Sequence, residues 1–251
     1  MPSAVALVPA RVGSVRVAGK NVLPLRGHPL LAYSICAAGE SGVFDAVAVS
    51  TDSPKIAEIA RHYGAEVPAL RPAEMATATS PDIEWVRHIL GELSADGREF
   101  DAFSILRPTS PFRGAATVRR AWRRFLEVGE GDSLRAVERC RQHPGKMWVL
   151  EGELMRPLLP QPEGTPYHSR QYQALPEVYA QNSSLEIAWS RVATQGGTIA
   201  GERVVPFFTE GAEGFSIDYP EDVERAERLL AAGEARLPEV AQEPISMEVA
   251  R

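Results

Sequence analysis

Short apolar runs alternate along this chain with segments whose apolar residues recur every three or four positions. "AVALVPA", residues 4–10, is a continuous apolar run of strand length that leads into glycine-containing sequence, so it predicts a strand followed by a loop. "PLLAYSICAAGESG" then reads as a helix, with Pro29 where a helix start tolerates a missing N–H and Gly42 where a helix stops. "DAVAVSTD" predicts a second strand. Ser53 is placed to cap "PKIAEIARHYG", in which Ile56, Ile59, Ala60 and Tyr63 recur at helical spacing before Gly64. "SPDIEWVRHILGEL" predicts another helix, with Ser80 as its N-cap ahead of Pro81 and Ile83, Val86 and Leu90 as the inner stripe. "FDAFSILRPTSP" reads as a third strand that breaks at Pro108, and Val118, Trp122 and Phe125 mark the helix after it. Strands alternating with helices in this way predict an α/β fold, a mostly parallel sheet with helices on both faces.

The pattern lapses from about Arg139 to Gln181, which is rich in Pro, Gly, Gln and Tyr and holds no sustained period. This stretch is read as an inserted arm. Regular patterning resumes with "SSLEIAWSRV" and closes with the strand "RVVPFF" and a helix over "PEDVERAERLLAAG", where Val223, Ala226, Leu229 and Leu230 face inward. The expected organisation is one domain over 1–237, interrupted by the arm, and a tail over 238–251.

Composition narrows the function classes. A chain of 251 residues that is 44% hydrophobic buries a sizeable core. Its apolar runs are too short to cross a bilayer, and no signal-peptide pattern opens it. Cys36 and Cys140 stand in no metal-ligand or CxxC spacing, which fits a reducing compartment and a cytoplasmic location. A net charge of −6 leaves no nucleic-acid footprint.

Ligands of open parallel sheets sit beyond the carboxyl ends of the strands. That rule groups "PARVGSVRVAGKN", "STDS", "RPTSPFR" and "FSIDYPED". The first is no Walker loop, because five residues separate Gly13 from Gly19 and Asn21, not Ser or Thr, follows Lys20. It reads either as a triphosphate cradle built on Arg11, Arg16, Lys20 and backbone N–H groups around Gly13 and Ser14, or as a basic surface loop. In the last segment Glu221 and Asp222 suit a helix start, and Asp218, standing before that helix, is the better ligand.

In order and spacing, "PARVGSVRVAGKN", "GHPLLAYSICAAGESGVFDAVAVSTDSPKIAEIARHYGAEVPALRPAEMAT", "LRPTSPFR", "QNSSLEIAW" and "SIDYPEDVERAE" resemble the acylneuraminate cytidylyltransferases, the CMP-sialic acid synthetases and their CMP-Kdo relatives. The resemblance covers nearly the whole chain. It implies a Rossmann-like nucleotidyltransferase sheet, CTP and an acidic keto-sugar as substrates, Mg²⁺ or Mn²⁺ as cofactor, and a homodimer whose arm reaches into the partner's site. Residue by residue, it implies that Arg11 and Lys20 hold the triphosphate, with Ser14 in the turn and Asn21 beside the nucleotide. Arg71 and the stretch to Asp82 match the segment that meets the cytosine. Arg107, Lys146, Gln173 and Asn182 fall where the sugar is contacted, and Asp218 matches a metal-binding aspartate.

Several positions depart from the family's pattern. Val12 and Val15 replace a glycine and a lysine, Arg107 stands where glutamine is common, and Ala76 to Thr79 replace an aspartate-containing run. The arginine expected before Leu175 and Pro176 is displaced to Arg170. Ser216 replaces one of two metal-binding aspartates. Two other functions therefore stand beside a sialic-acid-type transferase: a nucleotide-sugar binding or regulatory protein with impaired metal chemistry, and a CMP-Kdo-type synthetase.

Overall fold

The computed structural model describes residues 1–13, 17 and 19–245. The predicted site residue Ser14 lies outside the described residues, as does Arg16. In chain order the elements are β1 (Ala4–Pro9), the short strands β2 (Pro24–Leu25) and β3 (His28–Pro29), α1 (Leu30–Ser41), β4 (Ala46–Ser50), α2 (Pro54–His62), α3 (Asp82–Ala95), β5 (Ala102–Ile105), α4 (Ala115–Val128), β6 (Ser133–Arg139), β7 (Trp148–Glu151), β8 (Leu154–Pro157), β9 (Tyr179–Trp189), α5 (Ser190–Thr194), β10 (Val204–Phe208) and α6 (Pro220–Ala231). Backbone contacts divide the chain into two units, Met1–Ala136 with Asn182–Arg251, and Val137–Gln181.

Six strands form one mixed, mostly parallel sheet in the order β10-β6-β9-β5-β1-β4. β1 pairs in parallel with β4 on one side and β5 on the other, and β9 runs antiparallel to β5. The chain leaves β4 and crosses β1 to reach β5, so the strand order reverses beside β1, and α/β sheets bind ligands at such a switch point. β1 is an uninterrupted apolar run because both its faces are covered. Ala4, Ala6 and Val8 pack with residues of α1, α2 and α4, whereas Val5 and Leu7 pack with α3 and α5. Each fully buried Leu or Ile in these layers contributes roughly 1.5–3 kcal/mol of hydrophobic stabilisation, which fixes the strand ends that carry the site.

Local signals account for most helix ends. Gly42 takes the left-handed conformation, φ 64°, that closes α1, and the Ser53 hydroxyl accepts from Ile56 N at 3.3 Å to open α2. The expected Ser80 cap is not formed. Pro81, extended at φ −71°, is the residue before the first helical turn of α3, while the Ser80 hydroxyl donates to Glu74 O at 2.9 Å and bonds Thr77 Oγ1 at 2.7 Å. A nearer loop carbonyl and hydroxyl outcompete the helix for that side chain. Residues 239–245 form no helix or strand but are held in place. Val240 and Ile245 pack on the core, and Glu243 O lies 2.8 Å from His62 Nε2.

The Val137–Gln181 unit contains a hairpin of β7 and β8, turned at Gly152 with φ 66°, followed by short 3-10 turns. The buried His143 staples it, accepting from Gly145 N at Nδ1 and lying 3.0 Å from Pro176 O at Nε2. Its hairpin leaves Leu150 and Leu154 78% and 77% exposed.

Candidate active site

The loops at the carboxyl ends of β1, β4 and β5 are brought level by register: Pro9 pairs with Ser50, and Leu106 N donates to Leu7 O. From the first loop, Arg11 reaches across to Ala76 O at 3.2 Å, and Asn21 Nδ2 donates back to Arg11 O at 2.9 Å. Asn21 therefore closes the loop on itself. Val12 N donates to Asp52 Oδ1 in the loop after β4. Gly19, left-handed at φ 61°, turns the chain so that Lys20 opens a short 3-10 turn.

Lys20 Nζ meets Asp218 Oδ1 at 2.9 Å, a contact across 198 residues of sequence. Two anchors place Asp218. Ile217 N donates to Thr109 O in the loop after β5, and the Asp218 and Tyr219 N–H groups donate to Asp222 Oδ2 at the start of α6. Asp222 is thus a structural carboxylate, as its place at a helix start suggested.

A second group, of five charged side chains, gathers around the ends of β4 and β5. Arg71, buried, donates from Nε to Ser50 Oγ and from Nη2 to Ser50 O, both at 2.9 Å, and its guanidinium stacks 5.0 Å from the centroid of the Trp85 ring. Trp85 Nε1 donates to Asp82 Oδ1 at 2.7 Å. Arg107 Nη2 donates to Asp82 Oδ2 and, at 2.9 Å, to Glu186 Oε1. Glu186 Oε2 pairs with Arg135, whose Nη2 donates to Ile199 O. Burial pushes the Arg71 and Arg135 guanidiniums down to about 10. Burial also acts to raise the Asp82 carboxyl, but the charge and hydrogen bond of Arg107, with Trp85 and Arg71 behind them, outweigh it and leave its pKa lowered.

Of the other residues expected at the sugar end, Asn182 donates to Thr209 Oγ1 at 2.9 Å and accepts from Ser184 N. Lys146 and Gln173 belong to the Val137–Gln181 unit. The Lys146 ammonium donates to the carbonyls of Arg170 at 2.8 Å and His168 at 3.1 Å, while Gln173 is an exposed residue in a 3-10 turn.

Glu186, Arg135 and Trp85 were not singled out from the sequence. The available signal was a charged residue inside an apolar run, Glu186 in "SSLEIAW" and Arg135 in "SLRAV", since a charge in a central strand needs a partner.

Among the described residues no three of His, Cys, Asp and Glu gather into a metal-binding group. A Mg²⁺ bound together with a nucleotide needs only one or two carboxylates, the rest of its ligands being phosphate oxygens and water. Asp218, a carboxylate already facing a cation at the rim, fits that smaller donor set. Ser216 adds no second carboxylate, and its buried hydroxyl has no hydrogen-bond partner among the described residues.

A family model described as cytidylyltransferase matches residues 5–92. The chain is 33% identical over 237 residues to the CMP-N,N'-diacetyllegionaminic acid synthase of Legionella pneumophila, covering 92% of this chain and 98% of that protein. It is 36% identical over 138 residues to the N-acylneuraminate cytidylyltransferase of Escherichia coli, 55% of this chain and 32% of that one. A solved CMP:2-keto-3-deoxy-manno-octonic acid synthetase complexed with CTP superposes with a TM-score of 0.66 over 92% of this chain and 99% of its own, at 14% identity, a likeness of fold.

Proposed function

This chain belongs to the acylneuraminate cytidylyltransferase family, and on that premise we propose that it transfers CMP from CTP to the anomeric hydroxyl of a sialic-acid-like keto-acid sugar. The observation that carries the reading is the meeting of Lys20 and Asp218 at 2.9 Å at the carboxyl edge of the sheet. It joins a cation suited to a triphosphate with a carboxylate suited to that triphosphate's counter-ion. In the reaction the hydroxyl oxygen bonds to the α-phosphorus, the bond from that phosphorus to the bridging oxygen breaks, pyrophosphate leaves, and the hydroxyl proton passes to water.

The protein's part is to orient the reactants and neutralise charge. Lys20 and Arg11 balance the charge that grows on pyrophosphate, with the loop geometry kept by Asn21 and by the Arg11 contact to Ala76. Asp218 would hold Mg²⁺ or Mn²⁺, which when bound supplies Lewis-acid charge to the phosphate oxygens. Arg71, fixed against Ser50 and Trp85, starts the segment through Asp82 that receives the cytosine. Arg107 and Asn182 serve the sugar.

With each nucleotide at the same concentration and a panel of N-acetylneuraminic, N,N'-diacetyllegionaminic, pseudaminic and Kdo acids, pyrophosphate release from CTP is expected to exceed that from UTP, GTP or ATP by at least about 10²-fold. A site that hydrogen-bonds a base edge rejects bases with the wrong edge on that scale or above. Equal rates with all four overturn the CTP assignment. A protein that binds CTP but releases no pyrophosphate with any sugar instead supports the binding-protein function that Ser216 suggests.

The working form proposed is a cytoplasmic homodimer, in which the arm carries Lys146 and Gln173 to the partner's site. Supporting this are the exposed Leu150, Leu154 and Met155 of the hairpin, an apolar group of the kind that specific interfaces cover. Leu150→Asp combined with Leu154→Asp is expected to give a monomer by light scattering at micromolar concentration with at least about tenfold lower kcat/KM, as charges are excluded from interface cores. A parent protein that is monomeric and active contradicts the dimer.

A further inference from the structure

The charge balance and the donor usage around Arg107 are both incomplete. Three guanidiniums, those of Arg71, Arg107 and Arg135, face two carboxylates, those of Asp82 and Glu186, so the cluster carries one uncompensated positive charge. Arg113, buried and donating to Arg107 O and Ser34 Oγ, pairs with no carboxylate among the described residues, so it adds to the positive side. Both carboxylates are bound through one nitrogen of Arg107, Nη2. Its Nη1 and Nε make no hydrogen bond among the described residues, although a guanidinium edge of two parallel N–H groups is the geometry that grips a carboxylate best.

The two carboxylates are not equivalent. Glu186 is 4% exposed, lies in register with Ile105 at the end of β5, and is gripped from behind by Arg135. Asp82 is 33% exposed, begins a helix, and keeps a second hydrogen bond from Trp85 on its other oxygen. Glu186 is a fixed tether, whereas Asp82 can let go without being left unpaired.

We propose that Arg107 receives the carboxylate of the keto-acid sugar, that Asp82 stands in for that carboxylate until the sugar arrives, and that Glu186, braced by Arg135, keeps the guanidinium in place through the exchange. The inference rests on the transferase reading above and names the group that selects an acid over a neutral sugar. Glu186 and Arg135 are positioning residues. Of these three, Arg107 alone touches the sugar carboxylate.

The test is direct binding by calorimetry at saturating α,β-methylene-CTP, which does not transfer CMP. The probes are N,N'-diacetyllegionaminic acid and its C1 carboxamide, and the proteins are the parent, Arg107→Gln, Asp82→Asn and Glu186→Gln. Arg107→Gln is expected to weaken the acid about 30-fold and leave the carboxamide within about twofold, the scale of losing one charge-assisted pair. Asp82→Asn removes the internal competitor and is expected to tighten the acid about fivefold, an effect that loss of structure does not produce. Glu186→Gln is expected to weaken the acid about tenfold; because it unbalances a buried pair, the Arg107→Gln and Asp82→Asn results decide the matter if it fails to fold.

Equal losses for acid and carboxamide in Arg107→Gln, or an unchanged or weaker acid in Asp82→Asn, overturn the proposal. Should those results occur while the parent protein still releases pyrophosphate from CTP with a keto-acid sugar, the transferase reading stands and only the exchange falls. Absence of both binding and pyrophosphate release with every acid in the panel removes both.

Discussion

Lys20→Ala is expected to lower kcat by about 10²–10³-fold, the scale on which enzymes lose rate when one preorganised transition-state contact is removed. The effect follows from where the ammonium sits. Gly19 turns the chain left-handed so that Lys20 leaves the loop pointing at the Asp218 carboxylate, and its side chain is 14% exposed. The charge is therefore held in place before substrate arrives, in surroundings that strengthen its field. Stability changes little by comparison. The partner carboxylate is 37% exposed and rehydrates, so the lost pair is worth at most about 1 kcal/mol once solvent screening is counted. A melting temperature within a few degrees of the parent, together with the fall in kcat, separates catalysis from folding; an unchanged kcat would return the loop to a basic surface feature.

Asp218→Asn is expected to abolish activity almost completely, by about 10³-fold or more, because Asp218 is the one carboxylate proposed to hold the metal ion. Asparagine keeps the shape and the backbone anchors at Thr109 and Asp222 but loses the charge. Ser216→Asp is expected to do the opposite, lowering the half-saturating Mg²⁺ concentration about five- to tenfold. Ser216 and Asp218 stand two residues apart on either side of the buried Ile217, and the Ser216 hydroxyl, buried and without a partner among the described residues, leaves a polar position there for a second carboxylate. A metal titration at saturating CTP on parent and both variants checks this pair of results. Full activity of Asp218→Asn at low Mg²⁺ places the metal elsewhere.

Much of the fold is legible in the sequence because its layers are simple. A strand covered on both faces is a plain apolar run, as in β1, and a helix covered on one face repeats its apolar residues, as with Ile56, Ile59 and Ala60 of α2. The Ser80 cap misled because a capping residue and a loop-bonding residue have the same chemistry, and only the position of Glu74 O decides between them. The hairpin of β7 and β8 was hidden because its strands are four residues each and exposed, so no burial imposes an alternation. Val240 and Ile245 are too sparse to form a period, yet each finds the core.

The site divides the same way. Arg11, Lys20, Arg107 and Asp218 stand on loops at one end of a mostly parallel sheet, and chain order assigns them to that end, whereas Arg71 follows only from the family resemblance. Their pairing does not follow from chain order. That Lys20 faces Asp218, and that Arg107 sits between Asp82 and Glu186, depends on the crossing over β1 and on β9 returning antiparallel beside β5. Glu186 and Arg135 each stand inside an apolar run that calls for a partner, but which partner is decided only when their strands lie together.

The central claim is that the anomeric hydroxyl of a keto-acid sugar attacks the α-phosphorus of CTP. It is tested most directly by supplying the protein with CTP, Mg²⁺ and N,N'-diacetyllegionaminic acid carrying ¹⁸O at the anomeric hydroxyl, then analysing the products by mass spectrometry and ³¹P NMR. The account predicts pyrophosphate and CMP-sugar in equal amounts, with the label retained in the oxygen that bridges sugar and phosphorus. A CMP-sugar without the label, or no CMP-sugar from this or any other acid of the panel, contradicts it.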